Sequence, residues 1–134
     1  TPGLNRKIAM ETLRNFRELA DNGAAVMLIT HDIDLALNVA DRIAVFYAGT
    51  TVEIARVEDF KAGKDALRHP YSKAFIDALP QNAFAAIDGT QPYAGNQPEG
   101  CLFGPRCLMR STDCGGKITM RSLRGGEVRC NHAT

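Results

Sequence analysis

Two groups of residues in this sequence have types and spacings that could do chemistry. The first is Thr30-His31-Asp32, which closes the apolar run Ala24-Ala25-Val26-Met27-Leu28-Ile29. A short apolar run ended by a polar residue and then a capping Asp is the pattern of a buried parallel strand that opens into a helix. Doubly wound sheets hold their ligands at that end of a strand. His31 would then stand at the mouth of a site, with an imidazole free to donate to an anion. The competing assignment is a capping or core histidine at a strand end. The second group is Cys101, Cys107, Cys114 and Cys130, separated by five, six and fifteen residues. There is no Cys-x2-Cys knuckle, so the spacing fits neither a zinc ribbon nor a ferredoxin cleanly. All four thiols lie in the last 34 residues, a stretch with few large apolar side chains. Such a segment needs a staple. A metal or cluster, structural disulfides and unligated thiols remain the alternatives.

Other chemistry is missing from the sequence. A phosphate cradle of the P-loop kind needs Gly-x4-Gly-Lys-Ser/Thr, because its backbone amides and lysine surround the phosphates. Gly63-Lys64 has Glu58 in place of the first glycine and Asp65 in place of the hydroxyl. Gly116-Lys117 has Ser111 and Ile118 at those positions. No apolar run ends in Asp-Glu, so no magnesium carboxylate or catalytic glutamate is evident. Leu123-Arg124-Gly125-Gly126 reads as a turn.

The elements that must position these groups follow from periodicity and punctuation. Asn5 to Ala20 forms an amphipathic helix with Ala9, Leu13, Phe16 and Ala20 on one stripe, ended by Asn22-Gly23. The strand 24–30 comes next, then a helix from Asp32, which can cap its own start, to about Ala40. Arg42–Tyr47 reads as a strand, and Thr51–Ala55 as another paired to it across Ala48-Gly49, with Val52 and Ile54 on one face. Short helical pieces follow at Val57–Lys61 and Lys64–Arg68, and Pro70 opens a helix to about Leu79. His69, just before that proline, is biased to an extended conformation and a structural role at the helix entrance. Pro80 to Glu99 holds three of the six prolines and no clear period, so it reads as a linker.

At 134 residues the chain can hold one modest core, and 45% hydrophobic with 23% charged residues is an ordinary globular composition. No apolar stretch approaches the roughly 20 residues of a membrane helix, and no signal peptide opens the chain. A net charge of +1 argues against a nucleic-acid surface.

Several of these segments carry a family resemblance. Thr30-His31-Asp32 followed by Val39-Ala40-Asp41-Arg42-Ile43-Ala44-Val45-Phe46-Tyr47-Ala48-Gly49 resembles the switch-histidine segment of ABC-type ATPases. Pro2-Gly3-Leu4-Asn5 resembles that family's D-loop, usually Ser-Gly-Leu-Asp. His69-Pro70-Tyr71-Ser72 with Ala78-Leu79-Pro80 is similar to the tail of one subgroup, the ATP-binding subunits of oligopeptide, dipeptide and nickel importers. Gly100-Cys101, Phe103, Pro105-Arg106-Cys107 and the later cysteines match that subgroup's C-terminal extension. Together the motifs cover nearly the whole chain, with residues 81–99 the weakest stretch.

The resemblance implies an α/β fold: the C-terminal portion of a P-loop (RecA-like) ABC ATPase domain over residues 1–80, a linker at 81–99, and a small loop-rich four-cysteine extension at 100–134. Opening Thr-Pro-Gly-Leu-Asn, the chain reads as starting just past the family's acidic motif. The implied function is ATP-driven import of peptides, or nickel, with ATP and magnesium held mostly outside this chain, which alone would be inactive. His31 would contact the γ-phosphate, and Gly3, Leu4 and Asn5 the partner's nucleotide site. Asn5 replaces the family's Asp, and a helix N-cap is its other assignment. Some relatives of this kind hold a [4Fe–4S] cluster on cysteines at the places of Cys101, Cys107, Cys114 and Cys130. Zinc is the second candidate, and His132 reads as a solvated tail residue rather than a substitute ligand. Implied partners are a second ATP-binding subunit and the permease subunits, at the cytoplasmic face of a bacterial inner membrane. The isolated chain would self-associate through an unpaired edge at strand 24–30. A stand-alone cysteine-ligated metal or redox module is the alternative.

Overall fold

The computed structural model describes residues 2–82 and 84–134. They form two compact units, divided after Asp41. This division differs from the boundaries at 80/81 and 99/100 read from the sequence, because the cysteine extension packs with residues 42–80.

The first unit is built on helix α1, Pro2–Asp21. Gly23, at φ +102°, ends it where expected: its N–H donates to Ala20 O and the next N–H, of Ala24, donates to Leu19 O. Helix α2, Ile33–Val39, starts at Asp32, whose Oδ1 accepts from the N–H groups of Asp34 and Leu35. Arg17 ties the two helices together, donating to Val39 O at 3.2 Å and to Asp41 Oδ2 at 2.9 Å. Its hydrogen bonds to Asp21 and Asp41 hold the guanidinium above its ordinary pKa.

Segment 24–30 corrects the sequence reading. It has no regular secondary structure, no described strand pairs with it, and alternate residues are all exposed: Met27 at 89% and Ile29 at 90%, and between them Val26 at 44% and Leu28 at 41%. The residues have the apolar character of a buried strand, but a strand exists only as part of a ladder, and none of the described neighbours supplies one. Asn5 is a second correction. Helix α1 begins before it, so Asn5 lies within the first turns and is no N-cap.

The second unit is organised on four antiparallel strands in the order β1-β2-β4-β3. Strands β1 (Arg42–Tyr47) and β2 (Thr50–Arg56) pair from Arg42↔Arg56 to Tyr47↔Thr50 with an irregularity at Val45/Phe46. Ala48 and Gly49, both at positive φ, make the two-residue turn between them. The chain continues through α3 (Val57–Ala62), a 3-10 turn at Lys64–Ala66 and α4 (Pro70–Asp77). The short tail strands β3 (Arg121–Leu123) and β4 (Gly126–Val128) join through a turn at Arg124-Gly125. Strand β4 pairs with β2 at Glu53↔Val128, and the Arg129 N–H donates to Val52 O at 2.8 Å. The tail is therefore part of the sheet, and the parallel strand expected of a doubly wound fold is not found among the described residues.

Proximity to this sheet also orders the linker. Ile87 packs against a core of Tyr47, Ala48, Val52 and Phe103, to which Tyr71, Cys101 and Cys107 add partly buried surface. Phe103 meets Tyr47 edge-on at 5.3 Å between centroids, Tyr71 at 5.4 Å and the His69 ring at 6.0 Å. Those three contacts join β1, the start of α4 and the cysteine region. No helix among the described residues is long and apolar enough to cross a membrane.

Candidate functional site

His31 is exposed, between the unpaired segment and the Asp32 cap. The Asp32 N–H donates to Thr30 Oγ1 at 3.0 Å, which fixes the backbone on either side of the histidine. Arg6 reaches Asp32 Oδ2 at 3.9 Å, bringing the first turns of α1 beside this corner. Gly3 and Asn5 are exposed on those turns; the side chain of Leu4 lies outside the described residues. The Arg6 contact brings α1 to Asp32, the residue after the exposed His31. That ion pair is itself exposed and contributes little.

The four cysteines gather in the tail. Cys101 N–H donates to Cys114 O at 2.9 Å, and Gly100 makes that approach possible. It adopts φ +78°, and a Cβ there would lie 2.1 Å from Cys114 O. All four thiols are free, with Cys130 buried and the others half-buried. The Met109 N–H points at Cys107 Sγ, 3.4 Å away. The N–H groups of Phe103 and Gly104 face the Cys101 thiol. Burial raises the pKa of the Cys101 and Cys107 thiols, these N–H groups oppose the rise, and the neighbouring cysteines add to it. N–H groups aimed at sulfur suit a thiolate that binds metal. Yet among the described residues no three His, Cys, Asp or Glu side chains converge as a ligand set. As they stand, these residues do not form the cluster or zinc site that the resemblance implies. His132 is no solvated tail residue: it is half-buried, with Nε2 at 2.7 Å from Ser111 Oγ.

One group of charged residues was not singled out in the sequence. Glu53 is fully buried in β2 and accepts from the N–H of Arg68 at 3.0 Å and of His69 at 2.7 Å. Arg68, also buried, pairs with Glu53 at 3.2 Å and Asp59 at 2.9 Å. Its Nε donates to Leu123 O at 2.7 Å and its Nη2 to Arg124 O at 2.9 Å, so the node holds the tail hairpin as well. An acidic residue at a position flanked by Val52 and Ile54 was the available signal. The expected face of Val52 and Ile54 is only part of the burial, since Glu53 and Ala55 on the other face are buried too.

A β-ladder running into a His-Pro-Tyr-capped helix and closed by a hairpin of the cysteine-containing tail is a mixed helix–sheet architecture, consistent with the C-terminal part of an ABC ATPase. Residues 52–114 match the family described as oligopeptide/dipeptide transporter, C-terminal region. The peptide import ATP-binding protein of Brucella abortus is 35% identical over 127 residues, 90% of this chain and 37% of its own length. The dipeptide transport ATP-binding protein of Bacillus subtilis is 35% identical over 137 residues, covering 98% of this chain and 40% of the relative. That of Escherichia coli is 40% identical over 95 residues, covering 67% and 28%. The chain belongs to the oligopeptide/dipeptide transporter ATP-binding family, as its C-terminal part. It spans about two fifths of the length of the curated relatives it matches over most of its residues.

Proposed function

We propose that this chain is the C-terminal part of an ATP-binding subunit that powers import of peptides, with His31 acting at the γ-phosphate. The observation that carries this reading is the exposed His31 at the end of an apolar, unpaired segment, beside a capped helix and the first turns of α1. The relatives named above, which are peptide and dipeptide import ATP-binding proteins, support the peptide class; they lend nothing to nickel or to a stand-alone redox module. In this reading a P-loop and magnesium carboxylate, absent from this sequence, complete the site from another part of the protein. His31 supplies a neutral or charged N–H to the transferring phosphoryl group, where electrostatic positioning dominates the chemistry. Gly3, Leu4 and Asn5 face the nucleotide of a second subunit. Asn5 keeps a hydrogen-bonding side chain there without the charge of an aspartate. The subunits act on membrane permeases from the cytoplasmic face, and the open segment 24–30 makes the isolated chain self-associate.

The test is His31→Ala in the full-length protein. ATP hydrolysis should fall by about 100-fold or more, with nucleotide binding retained, since one transition-state donor is removed. Unchanged turnover would remove His31 from the mechanism. The 134-residue chain alone should show no magnesium-dependent hydrolysis.

A second reading concerns Cys101, Cys107, Cys114 and Cys130, and is favoured by the N–H groups aimed at the sulfurs of Cys101 and Cys107. In it the four thiols draw together on a [4Fe–4S] cluster or, failing that, on zinc. Iron, sulfide and zinc analysis of anaerobically purified protein decides: stoichiometric iron supports the cluster, zinc alone supports the second candidate, and neither leaves a thiol group with no metal role.

A further inference from the structure

Cys101 and Cys114 meet through their backbones, although they lie thirteen positions apart in the chain. The Cys101 N–H donates to Cys114 O at 2.9 Å. Standard bond lengths on either side of that hydrogen bond hold the two Cα atoms within about 6.8 Å, even fully stretched. Cysteines joined by a disulfide usually have Cα atoms about 4.4–6.8 Å apart.

The approach is built into the fold. Gly100 stands at φ +78°, and a Cβ there would fall 2.7 Å from Gly115 C as well as onto Cys114 O, so only a residue without a side chain fits where the two segments cross. The 3-10 turn Thr112–Cys114 is fixed from its other side: Asn131 Nδ2 donates to Asp113 O at 3.0 Å, and Ser111 meets His132. Cys101 is held in a turn of its own, where its carbonyl accepts from the Gly104 N–H at 3.0 Å. Both backbones are therefore in place before any bond joins the sulfurs.

The remaining cysteines are placed differently. Cys130 is buried, whereas Cys101 and Cys114 are free and half-buried, within reach of a small oxidant. Cys107 bonds through its backbone to Gly104 and Arg110, inside its own turn. Among the neighbouring thiols, that of Cys114 bears most on Cys101, and that of Cys130 most on Cys107. Coulombic influence falls with distance, which favours Cys114 as the partner of Cys101. The loop that Cys101 and Cys114 bracket contains Phe103, whose ring meets Tyr47, Tyr71 and His69. A bond between the two sulfurs would close that loop covalently around the residue that completes the core.

We propose that Cys101 and Cys114 are a thiol–disulfide pair, closed by a low-molecular-weight disulfide and reopened by thiols, which clamps the Phe103 loop. One cysteine sulfur attacks the oxidant, forming a mixed disulfide and releasing one small thiol. The other cysteine sulfur then displaces the second small thiol and forms the Cys101–Cys114 bond. Two protons and two electrons pass from the cysteines to the oxidant. The pair uses none of the residues assigned to nucleotide chemistry, so its failure leaves His31 untouched. Metal analysis of untreated protein reads the competing use of these sulfurs separately.

The test takes the 134-residue chain, reduced and treated with chelator, into oxidised glutathione. The four cysteines fall on separate tryptic peptides, 74–106, 107–110, 111–117 and 130–134, so mass spectrometry assigns every bond. The expected product joins 74–106 to 111–117, is about 2 Da lighter than the two reduced peptides together, and is dissolved by reductant. Cys107→Ser with Cys130→Ser should leave this product unchanged. Cys114→Ser added to that pair should stop the reaction at glutathione bound to Cys101. In the oxidised chain, amide exchange at Gly104 and Cys107 should slow by about tenfold or more. Preferred bonding of Cys101 to another cysteine, glutathione retained on both sulfurs, or linkage formed equally fast in denaturant would overturn the pair. Unchanged exchange at Gly104 and Cys107 would overturn the clamp.

Discussion

The two compact units contain similar apolar residues and bury them to very different extents. Up to Asp41, Leu13 is the one hydrophobic side chain among the described residues that is buried. Ile8, Phe16, Leu19 and the run Val26–Ile29 are exposed. From Arg42 on, Tyr47, Val52, Val57, Phe60, Leu67, Ile76, Phe103 and Val128 are all buried. Composition does not explain the contrast; connectivity does. The second unit has a ladder whose faces are covered by α4 and by the cysteine region. Two helices and a segment without regular structure offer each other no such surface. An apolar run is a demand for neighbours, and only the second unit meets it from within.

The strongest way to break this contrast is to open the second unit at its charged centre. Arg68→Ala leaves Glu53 buried without its cation and frees the carbonyls of Leu123 and Arg124. Removing one member of a buried ion pair typically costs about 3–5 kcal/mol, so denaturant unfolding of this unit should shift by that order. A shift below about 1 kcal/mol would mean the node is hydrated in solution.

Acid should act on the same unit with a somewhat smaller effect. Burial lowers the His69 pKa from 6.5 to about 4, so the unfolded chain takes up a proton at a pH where the folded one does not. Stability from this histidine is fully present above about pH 6.5 and is lost as pH falls toward about 4, for a total of about 3 kcal/mol. His69→Asn should flatten that part of the pH profile of thermal unfolding. A profile unchanged by the substitution would show that His69 is not what titrates.

The smallest effect belongs to the first unit. Asp32→Ala removes the α2 cap and should cost about 1 kcal/mol, read as increased amide exchange at Asp34 and Leu35. If that change matched the effect of Arg68→Ala, the contrast between a self-sufficient unit and an open one would fail.

Local signals were legible where a few neighbouring residues settle the outcome. Asp32 as a cap, Gly23 as a stop, the Ala48-Gly49 turn and the strands on either side of it follow from adjacent residues. So does His69 at the entrance of α4. Segment 24–30 was readable as apolar, but whether it joins a ladder depends on chain far from it. The tail hairpin escaped because its three-residue strands, Arg-Ser-Leu and Gly-Glu-Val, have no usable period. The Glu53–Arg68 pair is 15 residues apart across a helix and a turn, a separation that no local pattern encodes. The cysteines were recognisable as a set, but the N–H groups aimed at their sulfurs depend on backbone geometry alone.

The arginines of the second unit bind the tail largely through main-chain oxygens. Arg68 takes Leu123 O and Arg124 O, Arg124 takes Leu67 O, Arg121 takes Cys130 O and Ala133 O, and Arg129 takes Thr51 O and Ile118 O. A carbonyl is the same whatever side chain its residue carries. Mutational tolerance along the tail should therefore be lopsided: a replacement at a grasped position costs only that side chain's own packing and leaves the arginine's contact in place, whereas each grasping arginine is anchored to several places at once and has few substitutes.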